Sequence, residues 1–184
     1  LAELAYQVNN GNNYSGKYFI LNADLNLNDL SWTTIGYHDD WTDEETAFSG
    51  YFDGNNHTIS GLKIDHEGYA GLFAAVSDGK IENFTLLNPV VTYDYSEWVG
   101  NIGVVAGVAE RTEFENIHVI NPTITGGWWI GGICGWINDV SIINCSVTGG
   151  YIDAHDWNIG GITAGGNDAI ITGCHVDGTR ISTS

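Results

Sequence analysis

Apolar residues come in short runs separated by Gly, Asn and Asp, and helical spacing appears only at the start of the chain. There Leu1, Leu4, Ala5 and Val8 share one helical face, which predicts a short amphipathic helix over residues 1–10. Further on, Phe19–Leu27 alternates, with Ile20, Leu25 and Leu27 expected inward and Asp24, Asn26 and Asn28 outward. The remaining runs carry Val, Ile and Thr between turn residues, the pattern of strands.

Those strands repeat. Tyr69–Val76, Ile102–Ala109, Ile130–Ile137 and Ile159–Gly166 align without gaps, and so do Ile81–Leu86, Phe114–Val119, Ile142–Val147 and Ile171–Val176. Ala70, Gly103, Gly131 and Gly160 are separated by steps of 33, 28 and 29, and Asn83, Asn116, Asn144 and Gly173 by the same steps. Turns keep this register at Asn88-Pro89, Asn121-Pro122, Gly149-Gly150 and Gly178-Thr179, each followed by an apolar residue: Val91, Ile124, Ile152 and Ile181. A weaker copy, Ile59–Ile64, is expected to align with the second block, 22 residues upstream of it.

One such unit cannot bury its own apolar face, whereas stacked units can, each pairing in parallel with the next at about 4.8 Å. The predicted fold is therefore all-β: a right-handed parallel β-helix (solenoid) of about five to six coils with a short N-terminal capping α-helix. The whole chain, 1–184, reads as one domain, with the cap at 1–10, N-terminal coils at 17–68 and four repeats at 69–184. Leu1 opens the chain without a Met or a signal peptide, which points to a mature form or an excised piece. No cap sequence follows Ile181, so the last coil is expected to be bare or to continue into more protein, and end-to-end self-association becomes a candidate contact.

Charge narrows the partners. Five Lys plus Arg stand against 23 Asp plus Glu, a formal net charge of −18. Nucleic acid is excluded as a partner, because phosphate binding needs clustered cations. Anionic membrane surfaces are disfavoured for the same reason, and no apolar run is long enough to span a bilayer. Cys134, Cys145 and Cys174 form no C-x-x-C pair, which argues against zinc.

The residues also resemble a known family. Leu1–Ile64, with LAELAYQVNNG, ADLNL, Trp32–Gly36 and Phe48–Leu62, is similar to the start of bacterial surface proteins that carry the GLUG motif. The motif is clearest at Gly132-Ile133-Cys134-Gly135 and looser at Gly71–Ala74, Val104–Gly107 and Gly161–Ala164. Such repeats occur in secreted or cell-wall proteins, including adhesins and the non-catalytic region of some immunoglobulin-A-cleaving peptidases. The resemblance implies an extracellular, cell-surface location and supplies no catalytic residue; the HExxH of those peptidases is absent here.

Chemistry is expected where the coils vary in length, between the third strand of one coil and the first strand of the next. Stacking would gather Tyr93, Tyr95, Trp98, Trp128, Trp129, Asp153, His155, Asp156 and Trp157 along one edge. Flat aromatic faces beside carboxylates suit a neutral glycan or a basic peptide on a host or cell-surface protein. The same aromatics can equally be lids that seal the core with their polar tips wet. No cofactor is called for. The loop His38–Glu45 has five carboxylates in seven residues and is a candidate for Ca²⁺, although EF-hand spacing is missing.

Other candidates read as structural. The column Asn83, Asn116 and Asn144 suits an amide ladder at a bend. Cys145 and Cys174 share the apolar column of Phe84 and Ile117, and all three thiols are expected buried and reduced. His118 and His175 fall two coils apart, too far to share a metal, and the stacked pair Glu82 and Glu115 needs no catalytic role. The chain reads as a non-enzymatic binding module, with a structural spacer or self-assembling fibre unit as the alternative and a polysaccharide-active enzyme as the minor one.

Overall fold

A computed structural model describes residues 1–39, 44–65, 68–92, 100–126, 128–154 and 158–183. It is a parallel β-solenoid of about five turns, headed by the helix Ala2–Asn9. Each repeat climbs one rung: Lys80–Leu87 pairs with Glu113–Ile120, which pairs with the strands Cys134–Ile143 and Ser146–Thr148. These pair in turn with Thr163–Thr172 and His175–Asp177. A second sheet stacks Lys63–Ile64, Val90–Thr92, Thr123–Thr125, Tyr151–Ala154 and Arg180–Thr183. A third stacks Ile102–Gly103, Trp129–Gly131 and Asn158–Gly160.

Corners recur every five residues. Asp78, Asn83 and Asn88 have φ of 55°, 57° and 51°, and Arg111, Asn116 and Asn121 repeat this one coil later at 44°, 52° and 52°. Asp139, Asn144 and Gly149 follow, then Asp168, Gly173 and Gly178. Asn and Asp tolerate this left-handed backbone because their short polar side chains bond locally, and Gly173 enters the Asn column because glycine adopts it freely. The expected amide ladder is present: Asn116 Nδ2 donates to Asn83 Oδ1 at 3.0 Å, and Asn83 Nδ2 donates to Asp53 Oδ1 at 3.2 Å. Arg111 is the long side chain among these repeat corners, and the two carboxylate oxygens of Asp78 accept from one edge of its guanidinium, from Nε at 2.7 Å and Nη2 at 2.9 Å.

Between corners the inward columns fill the core. Ile81, Phe114 and Ile142 form one column, Leu86, Val119 and Val147 a second, and Val91, Ile124 and Ile152 a third, all fully buried. The N-terminal helix closes one end by burying Leu4, Ala5 and Val8 against this core, and its Asn9 side chain ties it to Thr34 and Gly36. The opposite end differs. Ile171, Val176 and Ile181 stand in the same three columns, yet they are 46%, 40% and 42% exposed.

Three sequence readings are corrected in the N-terminal coils and at the first repeat. Ile20 is 45% exposed and pairs with Asp53 on the outer face, whereas Phe19, opposite buried Phe52, is the residue that packs on the core. Ile59–Ile64 does not align with the block that opens at Ile81: Phe52 stacks on Ile81 and Ile59 on Leu86. The strand Tyr51–Ser60 takes up extra residues between Asp53 and His57, which a gapless comparison cannot see. Ala70 bridges Ile102 rather than Gly103, a slip of one residue that is recovered by Phe73 opposite Ala106.

Candidate functional site

The second and third sheets meet at the edge where the coils vary in length, and the ends of the variable segments lie in register there. Thr125 pairs with Thr92 and Asp153, Asp153 pairs with Ser182, and Trp129 pairs with Asn158. The stacked rungs therefore launch and receive these segments from aligned positions. Of the nine expected edge residues, Trp128, Trp129 and Asp153 fall among the described residues. Tyr93, Tyr95, Trp98, His155, Asp156 and Trp157 lie outside them, as do Asp40–Asp43 of the acidic loop. The backbone flanking that loop forms an antiparallel pair, Tyr37–Asp39 with Glu44–Thr46.

The described members are half-buried. The Trp128 carbonyl accepts from the Asn158 amide at 2.9 Å, which fixes the backbone of this edge to the next coil. Trp129 meets Trp136 edge-on, with ring centroids 4.7 Å apart and planes at 82°. Its ring occupies the space over Gly165, where a β-carbon would come within 2.7 Å of it. Asp153 is partly engaged, because Ser182 Oγ donates to its Oδ1 at 2.8 Å.

Trp136 was missed by sequence reasoning. It stands in a column otherwise made of Ala75, Val108 and Gly165, and a lone Trp among small residues was the available signal. Tyr151, 41% exposed on the outer face of the second sheet beside Arg180, was also missed.

A second cluster lies on the outer face of the long sheet. Lys80 Nζ reaches Glu82, Glu113 and Glu115 at 2.9, 2.6 and 2.9 Å. The hydroxyl of Tyr51 donates to Glu82, and Tyr18, stacked on Tyr51 with centroids 4.5 Å apart, donates to Asp53 at 2.7 Å. Burial opposes charge on Lys80, but hydrogen bonds from its ammonium to Glu113, Glu115 and Glu82 override this and hold it well above the ordinary lysine range. Burial likewise opposes charge on Asp53, and hydrogen bonds from Tyr18, Asn55 and Asn83 outweigh it, so its carboxyl sits below the usual range. The stacked pair Glu82 and Glu115 is thus bridged by the Lys80 ammonium between coils.

Lys80→Met should lower stability by about 2 kcal/mol at neutral pH, since hydrogen bonds to charged groups are worth about 1.5–3 kcal/mol and this cluster is partly screened. The sign with pH follows from the raised value in the folded state. Lys80 contributes fully below the unfolded lysine value of about 10.4, and its contribution falls as pH rises above it. Urea titrations at pH 9 and pH 11 should show wild type losing more stability than the variant; equal losses would mean the cluster does not hold the proton.

The thiols divide by depth. Cys134 and Cys145 are buried, and burial pushes the Cys145 thiol up to about 12 and Cys134 in the same direction. Cys174, expected buried, is partly exposed, on the coil of residues 158–183. Ellman's reagent at pH 8 should label Cys174 within minutes, and Cys134 and Cys145 only after denaturant; rapid native labelling of all three would contradict this depth order.

No protein-family model matches the chain, so the GLUG likeness rests on its residues alone. Halomucin of Haloquadratum walsbyi (strain DSM 16790 / HBSQ001) is 39% identical over 97 residues, which is 51% of this chain and 1% of halomucin. A crystal structure of a Bacteroides ovatus protein, provisionally assigned as an immunoglobulin A1 protease, superposes with a TM-score of 0.58 at 19% identity. The match covers 97% of this chain and 66% of that one, and what the two share is the fold.

Proposed function

We propose that this chain is a non-enzymatic module of an extracellular, cell-surface protein that binds a neutral glycan or a basic peptide along the edge where its coils vary in length. The observation that carries this reading is the half-exposed Trp128, Trp129 and Trp136 at that edge, on rungs whose register is fixed from coil to coil. A rigid scaffold with variable segments at one edge is how solenoids build binding surfaces. Aromatic rings supply contact area at low entropy cost, and the net charge of −18 favours uncharged or cationic ligands. The surface location draws support from the GLUG likeness and from the similarity to a segment of halomucin.

The experiment is a glycan array with the 184-residue chain, followed by calorimetry on the strongest hit. Trp128→Ala and Trp136→Ala should each weaken binding at least tenfold, with the far-ultraviolet circular dichroism unchanged. The edge-on packing of Trp129 against Trp136 over Gly165 favours a second reading, in which the aromatics are lids on a spacer. Loss of folding in both variants, or an array without a hit, would favour the spacer.

A further inference from the structure

A cleft of about 410 Å³ lies where the capping helix meets the first coils, and it shares no residue with the tryptophan edge. Three separate segments wall it. The chain leaves helix Ala2–Asn9 through Gly11, whose φ of 92° turns it toward Asn13. Residues 46–49 and the corner Ser77-Asp78 supply the other walls. Backbone bonds tie the three together: the Ser49 amide donates to the Asn13 carbonyl at 2.7 Å, and the Ser77 amide to the Phe48 carbonyl at 3.0 Å. Arg111 fixes the corner, its Nη2 donating to Ser77 Oγ at 2.9 Å while its Nε and Nη2 hold Asp78. The cleft is therefore pre-formed, as small-molecule sites usually are.

Its walls also carry polar groups that the fold leaves unspent. Asn13 Oδ1 accepts from the Ser15 amide at 3.1 Å, which orients the side chain and leaves Nδ2 without a partner among the described residues. The Ser49 hydroxyl has none there either. Thr46 Oγ1 is shielded from solvent and likewise meets no hydrogen-bond partner among the described residues. Buried hydroxyls are nearly always paired. A turn about the Thr46 Cα–Cβ bond would present this one to the cleft that the residue lines.

We infer that this cleft is a second binding site, a pocket for one neutral sugar residue. A sugar hydroxyl both donates and accepts, and so do the hydroxyls of Ser49 and Thr46, while Asn13 Nδ2 adds a donor. Val8 and Ala47 offer apolar surface to the C–H face of the ring. Charge selects against ions of either sign. Arg111 is already committed to Asp78 and to Glu110, whose Oε2 accepts from its Nη1 at 2.9 Å, so no cation is left over for an anion, and the net charge of −18 repels one. Both Asp78 oxygens accept from Arg111, which leaves a metal ion no open carboxylate. Size sets the limit: the volume lies near the lower end of the roughly 300–1,000 Å³ of small-molecule sites, room for a single ring and not for an extended chain. The site takes a free monosaccharide or the end of a glycan, and it stands apart from ligand binding at the tryptophan edge.

Amide NMR of the isotope-labelled 184-residue chain tests this, by titration with the methyl glycosides of glucose, galactose, mannose and N-acetylglucosamine, and with galacturonate as the anionic control. At least one neutral glycoside should shift the Gly11, Asn13, Ser49 and Ser77 amides saturably, with a dissociation constant of about 1 mM, the range open to so small a ligand. Galacturonate should shift none of them. Asn13→Asp keeps the acceptor for the Ser15 amide and removes the donor, and Ser49→Ala removes a hydroxyl; each should weaken binding at least fivefold. The same spectra report whether each variant is folded, and the two changes are independent, so one failing to fold leaves the other. Trp128→Ala should leave this affinity unchanged, which keeps the cleft and the tryptophan edge distinguishable. No saturable shift at these amides with any of the four glycosides would overturn the proposal and make the cleft a solvent-filled seam between cap and coils. So would undiminished binding in both variants, or galacturonate binding as well as the neutral sugars.

Discussion

Ile133→Asp is expected to abolish the cooperative thermal transition. Ile133 is fully buried, and its backbone links three coils: its amide donates to the Ile162 carbonyl at 2.9 Å, and its carbonyl accepts from Val105 and Ala106 at 3.0 and 3.1 Å. The aspartate would lose the isoleucine's packing, about 2–5 kcal/mol, and add the cost of an unpaired polar or charged group inside the stack, about another 3 kcal/mol or more. A domain of this kind has about 5–15 kcal/mol in total. Ile133→Val removes one methylene without adding a charge and should cost only about 1 kcal/mol, which separates charge burial from general sensitivity of the site. Circular dichroism melts of both variants measure this. An aspartate variant that melts within a degree or two of wild type would mean the column does not face the core.

How far the fold was legible can be followed through particular columns. The steps of 33, 28 and 29 set the register of the four repeats, and the pairing of Phe114 with Ile81 and of Ile124 with Val91 follows them. The Asn column was legible because Asn83, Asn116 and Asn144 hold one position, and a left-handed corner is where Asn outperforms other side chains. Arg111 was not, since arginine has no local preference for such a corner. It is held there by Asp78, 33 residues away, and no local pattern encodes that contact. The N-terminal coils were misaligned for a related reason: Gly54 packs against Phe84, and the added residues between Asp53 and His57 break the period on which a repeat comparison depends.

The candidate site was less legible than the scaffold. Sequence placed Glu82 and Glu115 in one column but could not show that Lys80, two residues before Glu82, reaches both as well as Glu113. That reach belongs to a flexible side chain and not to a strand period. Trp136 was hidden for the opposite reason: it lies inside a strongly patterned strand, Cys134–Ile143, whose neighbours alternate between core and surface. A residue in a regular element is read by its period, and the corner that brings Trp136 to Trp129 is a property of the folded coil.

Gly131→Ala tests why glycine holds its column in every repeat from the second onward. Gly103, Gly131 and Gly160 are stacked in the third sheet. A β-carbon on Gly131 would collide with the carbonyl oxygen of Cys134, three residues ahead, and lie 2.8 Å from the Ile162 carbonyl of the next coil. Gly103 meets the carbonyls of Ala106 and Ile133 in the same way, and Gly160 meets that of Thr163. These are backbone atoms that carry the hydrogen bonds between coils, so relief requires shifting a tight corner and the rung stacked on it. We expect a loss of about 3 kcal/mol, at the upper end of overpacking costs because no side chain can move aside. Gly79→Ala is the control: its β-carbon would meet a Val76 methyl group at 3.0 Å and the Gly50 carbonyl at 3.1 Å, contacts that a small rearrangement relieves, and it should cost about 1 kcal/mol. Urea midpoints compare the two. If they coincide, the glycine column is not set by the close approach of neighbouring carbonyls, and the geometry assigned to the corner before Cys134 is wrong.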